Sequence, residues 1–401
     1  MSHSDLLVVG GGLAGLGAAL AVSRARPDWR LTLLEQATEF GEVGAGIQLG
    51  PNAVRVLEDW GLAEALRECA AFPEDLQVRD VPTGATLGRL PLGQRAEARY
   101  GAPYATIHRA DLHEALLNAV HATGQVQTHL GQRVAAVETQ DVGSVRVTVD
   151  SGQTWGAGAM LACDGVWSRV REQLWHDGPA TFTGDLAYRG MVPMADLPAP
   201  LRRSAVTAWL GERCHVVHYP VRGGLWMNVV AVVQGTLPAE PIHWDHAAHA
   251  ADLLCALGGI HPDLHEVLGG VLHWRLWPLF ARPPLRSAAG QVQGAVALLG
   301  DAAHPMRPYL AQGAAMALED AWALGQHLSR QPEAPDWPAL LARWASQRWA
   351  RNAWVQERSR RNGWVFHLDG PLRWGRNLAM ATLGARLLDV PRLYSGPPWP
   401  T

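Results

Sequence analysis

A glycine-dense apolar stretch near the start of the chain constrains the fold more than any other feature. Residues 6–23 read LLVVGGGLAGLGAALAVS. The apolar run Ser4–Val9 predicts a buried strand, and Leu13–Arg24 carries Leu and Ala at helical spacing. Between them, Gly10-Gly11-Gly12-Leu13-Ala14-Gly15 fits G-x-G-x-x-G at the strand-to-helix turn where its mechanism requires it. Gly10 allows the tight turn, Gly12 lets a pyrophosphate approach the backbone, and Gly15 lets helix and strand pack closely. The helix N-terminus adds free N–H groups and partial positive charge. A second apolar run, Leu31–Leu34, ends at Glu35, 20 residues beyond Gly15, where a carboxylate binds a ribose hydroxyl. This is a βαβ dinucleotide site, which alone does not separate NAD from FAD.

A signal peptide or membrane helix is the competing reading of the same stretch. The leader MSHSD carries an acid and no base, the opposite of a basic n-region, and five glycines in residues 10–17 are dense for such a segment. No other stretch approaches the ~18 apolar residues a span needs. No membrane partner is expected, and the cytoplasm is the expected compartment. Cys69, Cys163, Cys214 and Cys255 form no C-x-x-C pair and no disulfide framework, as in a reducing compartment. A formal charge of −3 is too balanced to point to nucleic acid. All 34 basic residues are Arg, because the sequence has no lysine. Codon bias accounts for this, but it still excludes chemistry built on a lysine amine: P-loop phosphate binding, a Schiff base, a Ser–Lys hydrolase.

With 401 residues, 48% of them apolar, the chain can bury a large core as two or three domains or one interleaved unit. Strand alternating with helix at the start implies a parallel sheet. Residues 80–105 look like loop or short edge strands, Asp111–Thr123 a helix, and 125–160 alternating strands. From about 185 to 280 the texture is β, with a helical stretch near 245–257. Ala295–Leu299 reads as a buried strand, 312–329 as a strong helix, and the chain after Pro338 as helical to about 388.

Two further motifs stand at the ends of strands: Asp164-Gly165, with Ser168, Arg169 and Arg171 following, and Gly300-Asp301-Ala302-Ala303-His304-Pro305. Taken with Gly10–Gly15 and Glu35, these three in this order resemble the FAD-dependent aromatic hydroxylases of the p-hydroxybenzoate and salicylate hydroxylase group. Arg109 in His108-Arg109-Ala110-Asp111-Leu112, the segment 45–52 (AGIQLGPN) and 310–320 (LAQGAAMALED) extend the likeness over nearly the whole chain. The segment His215–Gly224 and a tail with Ser359, Arg360, Asn362, Gly363 and His367 place it nearest the salicylate and 3-hydroxybenzoate hydroxylases.

The resemblance implies an α/β fold: a Rossmann-like FAD-binding domain, an inserted, mostly antiparallel β-sheet substrate domain and a C-terminal helical segment. The implied division is 1–75, 106–182 and 285–330 for FAD, 76–105 and 183–284 for substrate, and 331–401 for the helices. The implied FAD contacts are Gly10, Gly12, Leu13, Ala14, Gly15, Glu35, Gln36, Arg109, Val134, Asp164, Asp301, Gly313 and Ala314. Among them Glu35 would hold the ribose, Arg109 the pyrophosphate, and Asp301 the ribityl chain. Asp164 would serve pyrophosphate and NAD(P)H. Backbone N–H groups of Gly313 and Ala314, at a helix N-terminus, would face the flavin's pyrimidine edge.

The implied reaction uses NADH or NADPH, held transiently, and O2 to form a flavin hydroperoxide that hydroxylates an aromatic ring. Substrates of the hydroxybenzoate type or hydroxylated heteroaromatic carboxylates are expected, bound by a monomer or homodimer. An epoxidase, a hydroxylase of larger polycyclic rings and a non-catalytic flavin sensor are the alternatives. Ring activation needs a base near neutral pKa, for which His is suited. His215 and His218, three apart on a predicted strand, point to opposite faces, so only one can serve. His215 shares its face with Tyr219 and is favoured, with His218 as fallback and Tyr219 and Tyr104 positioning substrate. Arg307 either pairs with a substrate carboxylate or is solvated at the rim. His304 is expected to be structural. His243, His246 and His249 on a predicted helix are read as exposed, with no metal. The Trp- and Arg-rich helix after Pro338 is expected to pack on the FAD domain with Arg on its wet side.

Overall fold

The computed structural model describes residues 2–41, 45–140, 144–237, 246–331 and 335–397. The opening strand, Ser2–Val9, is central in a mainly parallel sheet, and Leu6, Leu7 and Val8 are almost wholly buried. A continuous apolar run suits a strand covered on both faces. The sheet runs in the order Val292–Gln293, Val296–Leu298, Thr154–Ala162, Ser2–Val9, Leu31–Leu34, Val126–His129, with Ser144–Val149 and Val134–Gln140 added antiparallel beyond Thr154–Ala162.

Two helices pack side by side here, Leu13–Ala25 and Gly313–Ser329. Their close approach is made by glycine. A Cβ on Gly17 would sit 3.4 Å from Leu318, and one on Gly325 only 3.0 Å from the Ala21 carbonyl. This contact brings both helix N-termini to one end of the sheet.

The second sheet runs in the order His246–Ala248, Trp274–Ala281, Thr181–Pro193, Trp226–Gln234, Cys214–Val221, Ala205–Leu210, Asp75–Asp80, Thr86–Pro91. Every pairing is antiparallel except Ala205–Leu210 with Asp75–Asp80. Its strands alternate apolar residues to two different cores. Tyr188, Val216, Val229 and Ala231 pack under helices Ala250–Leu257 and Pro262–Gly269. Ala187, Val230, Val232 and Trp277 point the other way, towards Ala45 and Tyr309.

The C-terminal helix, Trp337–Phe366, starts with Asp336 accepting from the Ala339 N–H at 3.1 Å. Helicity is not continuous to 388: it breaks at residues 367–369 and restarts as Gly370–Leu383, with Gly370 at φ 51°. Of the arginines expected on the wet side, Arg343, Arg360 and Arg361 are exposed, but Arg348 is not. Arg348 is buried and bonds Asp320 at 2.7 Å and Glu319 at 3.0 Å, while Trp344 donates to the Asp320 carbonyl. The histidine helix is corrected too, since His246 lies in a strand and helix starts only at Ala250. His243 lies outside the described residues.

Candidate functional site

The three motifs converge at the C-terminal ends of the parallel strands. Gly10 takes φ 102°, and a side chain there would strike the Cys163 carbonyl. A Cβ on Gly15 would lie 1.8 Å from the Gly10 carbonyl, so close packing, not flexibility, requires that glycine. Gly12 has open space where a Cβ would point, as phosphate approach demands. Glu35 holds the loop by accepting from the Gly11 N–H at 2.6 Å and the Ala37 N–H at 2.8 Å. His113 bonds the Gly11 carbonyl at 2.8 Å, a support the sequence did not signal. Gln36 is exposed beside Glu35, and the buried Val134 offers its carbonyl to Arg169.

The Gly300 turn packs on this loop, since a Cβ on Gly300 would meet that of Ala14 at 2.8 Å. Leu13 is buried beneath it. Asp301 thereby opens into the cleft beside Gly313, whose Cβ position is 3.9 Å from its carboxylate, with Ala314 next along the helix. Asp301 is exposed, but enclosure by the cleft walls raises its pKa, and Arg109 and His304 oppose this. His304 itself is buried on Asp320 at 2.6 Å.

Asp164 accepts from the Val170 N–H while its other oxygen is buried with no partner, and burial raises its pKa. The Gln312 Nε2 is likewise buried and unpartnered. Open backbone at Gly12 and orphaned polar atoms lining one cleft fit a bound dinucleotide. Arg171 is spent behind it, bonding the Ala302 and Ala303 carbonyls and Asp177.

Facing this cleft is one side of the second sheet. Strand register sets His215, Val232, Ala187 and Trp277 in one row, and Val217, Val230 and Arg189 in the next. Tyr219 follows, its hydroxyl donating to the Gly46 carbonyl at 2.7 Å, and Tyr104 donates to Gln48 at 2.7 Å in the same cluster. His218 points to the opposite face, where its Nε2 accepts from Trp209 at 3.0 Å, so it does not join the site.

His215 is buried and its Nδ1 is 2.9 Å from the His367 Nε2. Burial, then His367, holds its pKa well below the usual value, so the ring is neutral at pH 7. Burial likewise takes His367 down to about 4, with Asp185 opposing and Arg307 and Arg376 assisting. Arg307 is not free at a rim: it is 3.4 Å from Asp185, which also accepts from the Tyr309 hydroxyl at 2.8 Å.

Asp185, Tyr309 and Arg189 escaped the sequence reading. For Asp185 and Arg189 the available signal was two charges four residues apart on one face of the strand Thr181–Pro193. Arg189 stacks 4.0 Å over Trp277 with its Nε buried and without a hydrogen-bond partner. Burial lowers it to about 10, so it stays charged at neutral pH.

Among the described residues no cluster could hold a metal, and no helix is long and apolar enough to cross a membrane. Residues 3–359 match the FAD binding domain family. The chain is 38% identical to 3-hydroxybenzoate 6-hydroxylase of Polaromonas naphthalenivorans over 93% of this chain and 90% of the relative. It is 39% identical to 3-amino-4-hydroxybenzoate 2-monooxygenase PtnB3 of Streptomyces platensis over 97% and 95%. A salicylate hydroxylase substrate complex superposes with TM-score 0.80 at 27% identity, covering 96% of this chain and 95% of that one. The motif order, the assembled cleft and these likenesses agree: the chain belongs to the FAD-dependent aromatic hydroxylases.

Proposed function

We propose that the chain hydroxylates a phenol bearing a ring carboxylate, either a hydroxybenzoate or a hydroxylated N-heteroaromatic acid. NADH or NADPH and O2 are the co-substrates. Bound FAD supplies reduction by the nicotinamide and activation of O2. In the cleft, Gly10, Gly12, Leu13, Ala14 and Gly15 form the pyrophosphate loop. Glu35 and Gln36 take the adenosine ribose end, with Val134 close by. Arg109 and Asp164 meet the pyrophosphate, Asp301 the ribityl chain, and the Gly313 and Ala314 N–H groups the pyrimidine edge.

The observation that carries the substrate reading is the cleft face of the second sheet. His215 is neutral there and placed to accept the phenol proton, with a pKa held below the near-neutral value expected of the base. Arg189, two strands across and one row along, offers its unbonded Nε to the carboxylate. Strand spacing puts their Cα atoms roughly 12 Å apart, with Val230 and Val232 between, which suits two ends of one ring. Tyr219 and Tyr104 position the ring. Arg307 is committed to Asp185, so the carboxylate goes to Arg189 instead. Relatives named for hydroxybenzoates support the same substrate class.

The test is a panel of hydroxybenzoates, hydroxynicotinates and uncharged phenols. Stimulated NADH oxidation with hydroxylated product is expected for the carboxylated phenols. A panel in which none stimulates, or only uncharged phenols do, overturns the reading. His215→Ala is expected to keep FAD and lose hydroxylation.

A further inference from the structure

We propose that Asp185 and His367 form a relay that fixes the tautomer of His215 and takes up the proton it removes from the phenol. This rests on His215 being the base. The three residues come from distant parts of the chain: Asp185 and His215 from two strands of the second sheet, His367 from the end of the long C-terminal helix. His215 Nδ1 and His367 Nε2 are 2.9 Å apart, so one carries the shared hydrogen and the other a lone pair. The other nitrogen of His367, Nδ1, faces the Asp185 Oδ1 at 3.9 Å. At that distance the contact is electrostatic and not a hydrogen bond, and a carboxylate there favours an N–H towards it.

With its hydrogen on Nδ1, His367 presents a lone pair at Nε2. His215 then donates from Nδ1 and leaves Nε2 bare. In the reverse arrangement a His367 lone pair would face the carboxylate, and the His215 Nε2 would carry a hydrogen and could not act as base. Asp185 therefore selects the competent tautomer two residues away, as the orienting carboxylate does in a Ser-His-Asp triad.

The relay also balances the proton. The phenol O–H breaks and a His215 Nε2–H forms. The His215 Nδ1–H passes to His367 Nε2, and the His367 Nδ1–H passes to Asp185. The products are phenolate and a neutral carboxylic acid, with both imidazoles neutral. That matters because burial makes a lasting imidazolium costly here. The groups facing these rings are Tyr309 on both, and Asp185, Arg307 and Arg376 on His367. The two arginines oppose a lasting cation on His367.

The test uses FAD-loaded enzyme with 15N-labelled histidine, and 3-hydroxybenzoate with NADH as probe. Wild type is expected to show the His215 Nε2 unprotonated. Asp185→Asn, which can donate to the His367 Nδ1, is expected to reverse both tautomers. It should lower hydroxylation at pH 7 about a hundredfold, with the deficit closing as pH approaches the phenol's own pKa near ~10. His367→Gln can accept from His215 but cannot pass a proton. It is expected to keep the His215 tautomer and lose rate with the same pH dependence.

A protonated His215 Nε2 in wild type overturns the proposal without any variant or substrate. So does a deficit that is flat with pH. Coupled turnover surviving in His215→Ala would instead overturn the base assignment while leaving the tautomer result standing.

Discussion

Replacing Arg189 by Met separates recognition of the substrate's charge from recognition of its ring. Met keeps an unbranched side chain over Trp277 and removes the cation. Arg189 is held by stacking at 4.0 Å over Trp277, and its Nε has no hydrogen-bond partner to lose. Folding stability should therefore change little. A lost cation–π contact of ~1 kcal/mol is offset by relief of a partly buried charge. The ligand should register far more. A hydrogen bond to a charged group contributes ~1.5–3 kcal/mol, which corresponds to a roughly 10- to 150-fold rise in Kd. The assay is the perturbation of flavin absorbance on titrating FAD-loaded enzyme with 3-hydroxybenzoate and, separately, with phenol. Weakening is expected for the carboxylated ligand alone. Equal weakening of both ligands, or unchanged affinity for 3-hydroxybenzoate, would refute the assignment of Arg189 to the carboxylate.

Other perturbations probe the scaffold around the site. Gly15→Ala places a Cβ 1.8 Å from the Gly10 carbonyl, so the variant should fail to retain FAD through size-exclusion chromatography, and flavin-replete protein would contradict the packing. His218→Ala orphans the buried Trp209 N–H, costing ~1–3 kcal/mol of stability, yet kcat of the folded fraction should match wild type. Arg348→Met leaves Glu319 and Asp320 without a shared buried partner, a loss of ~3–5 kcal/mol readable as a lower urea midpoint. Burial raises Asp320, but His304 and Arg348 outweigh it and hold it below the usual carboxylate value. Its contribution in wild type is thus present above about pH 4 and fades as pH falls through the lowered pKa.

What was legible in the sequence shares one property: its mechanism lies within a few consecutive residues. Gly10 to Gly15 build a turn and a helix start by themselves, and Gly300-Asp301 closes a strand in the same way. Alternation along Cys214–Val221 likewise separates His215 from His218, because side-chain period is a local rule. The residues that surround His215, the proposed base, obey no such rule. Asp185, Tyr309 and His367 are distant in sequence and meet only because two strands, a loop and a broken helix fold over one another. Arg307 shows the consequence, since its neighbours in sequence left its charge open and only folding supplied Asp185.

This division follows function. A dinucleotide presents the same phosphates and ribose to every relative, so a fixed local motif can meet it. A ring with its own pattern of hydroxyl and carboxylate must be met from several directions at once. The polar groups around His215, the proposed base, are mostly buried, and a buried polar group is stable only when its partners are supplied. His215, His367, Asp185, Arg307 and Tyr309 supply each other. Altering one changes the protonation or orientation of the next, so substrate preference in this cleft should shift by coupled substitutions in that set rather than by single ones.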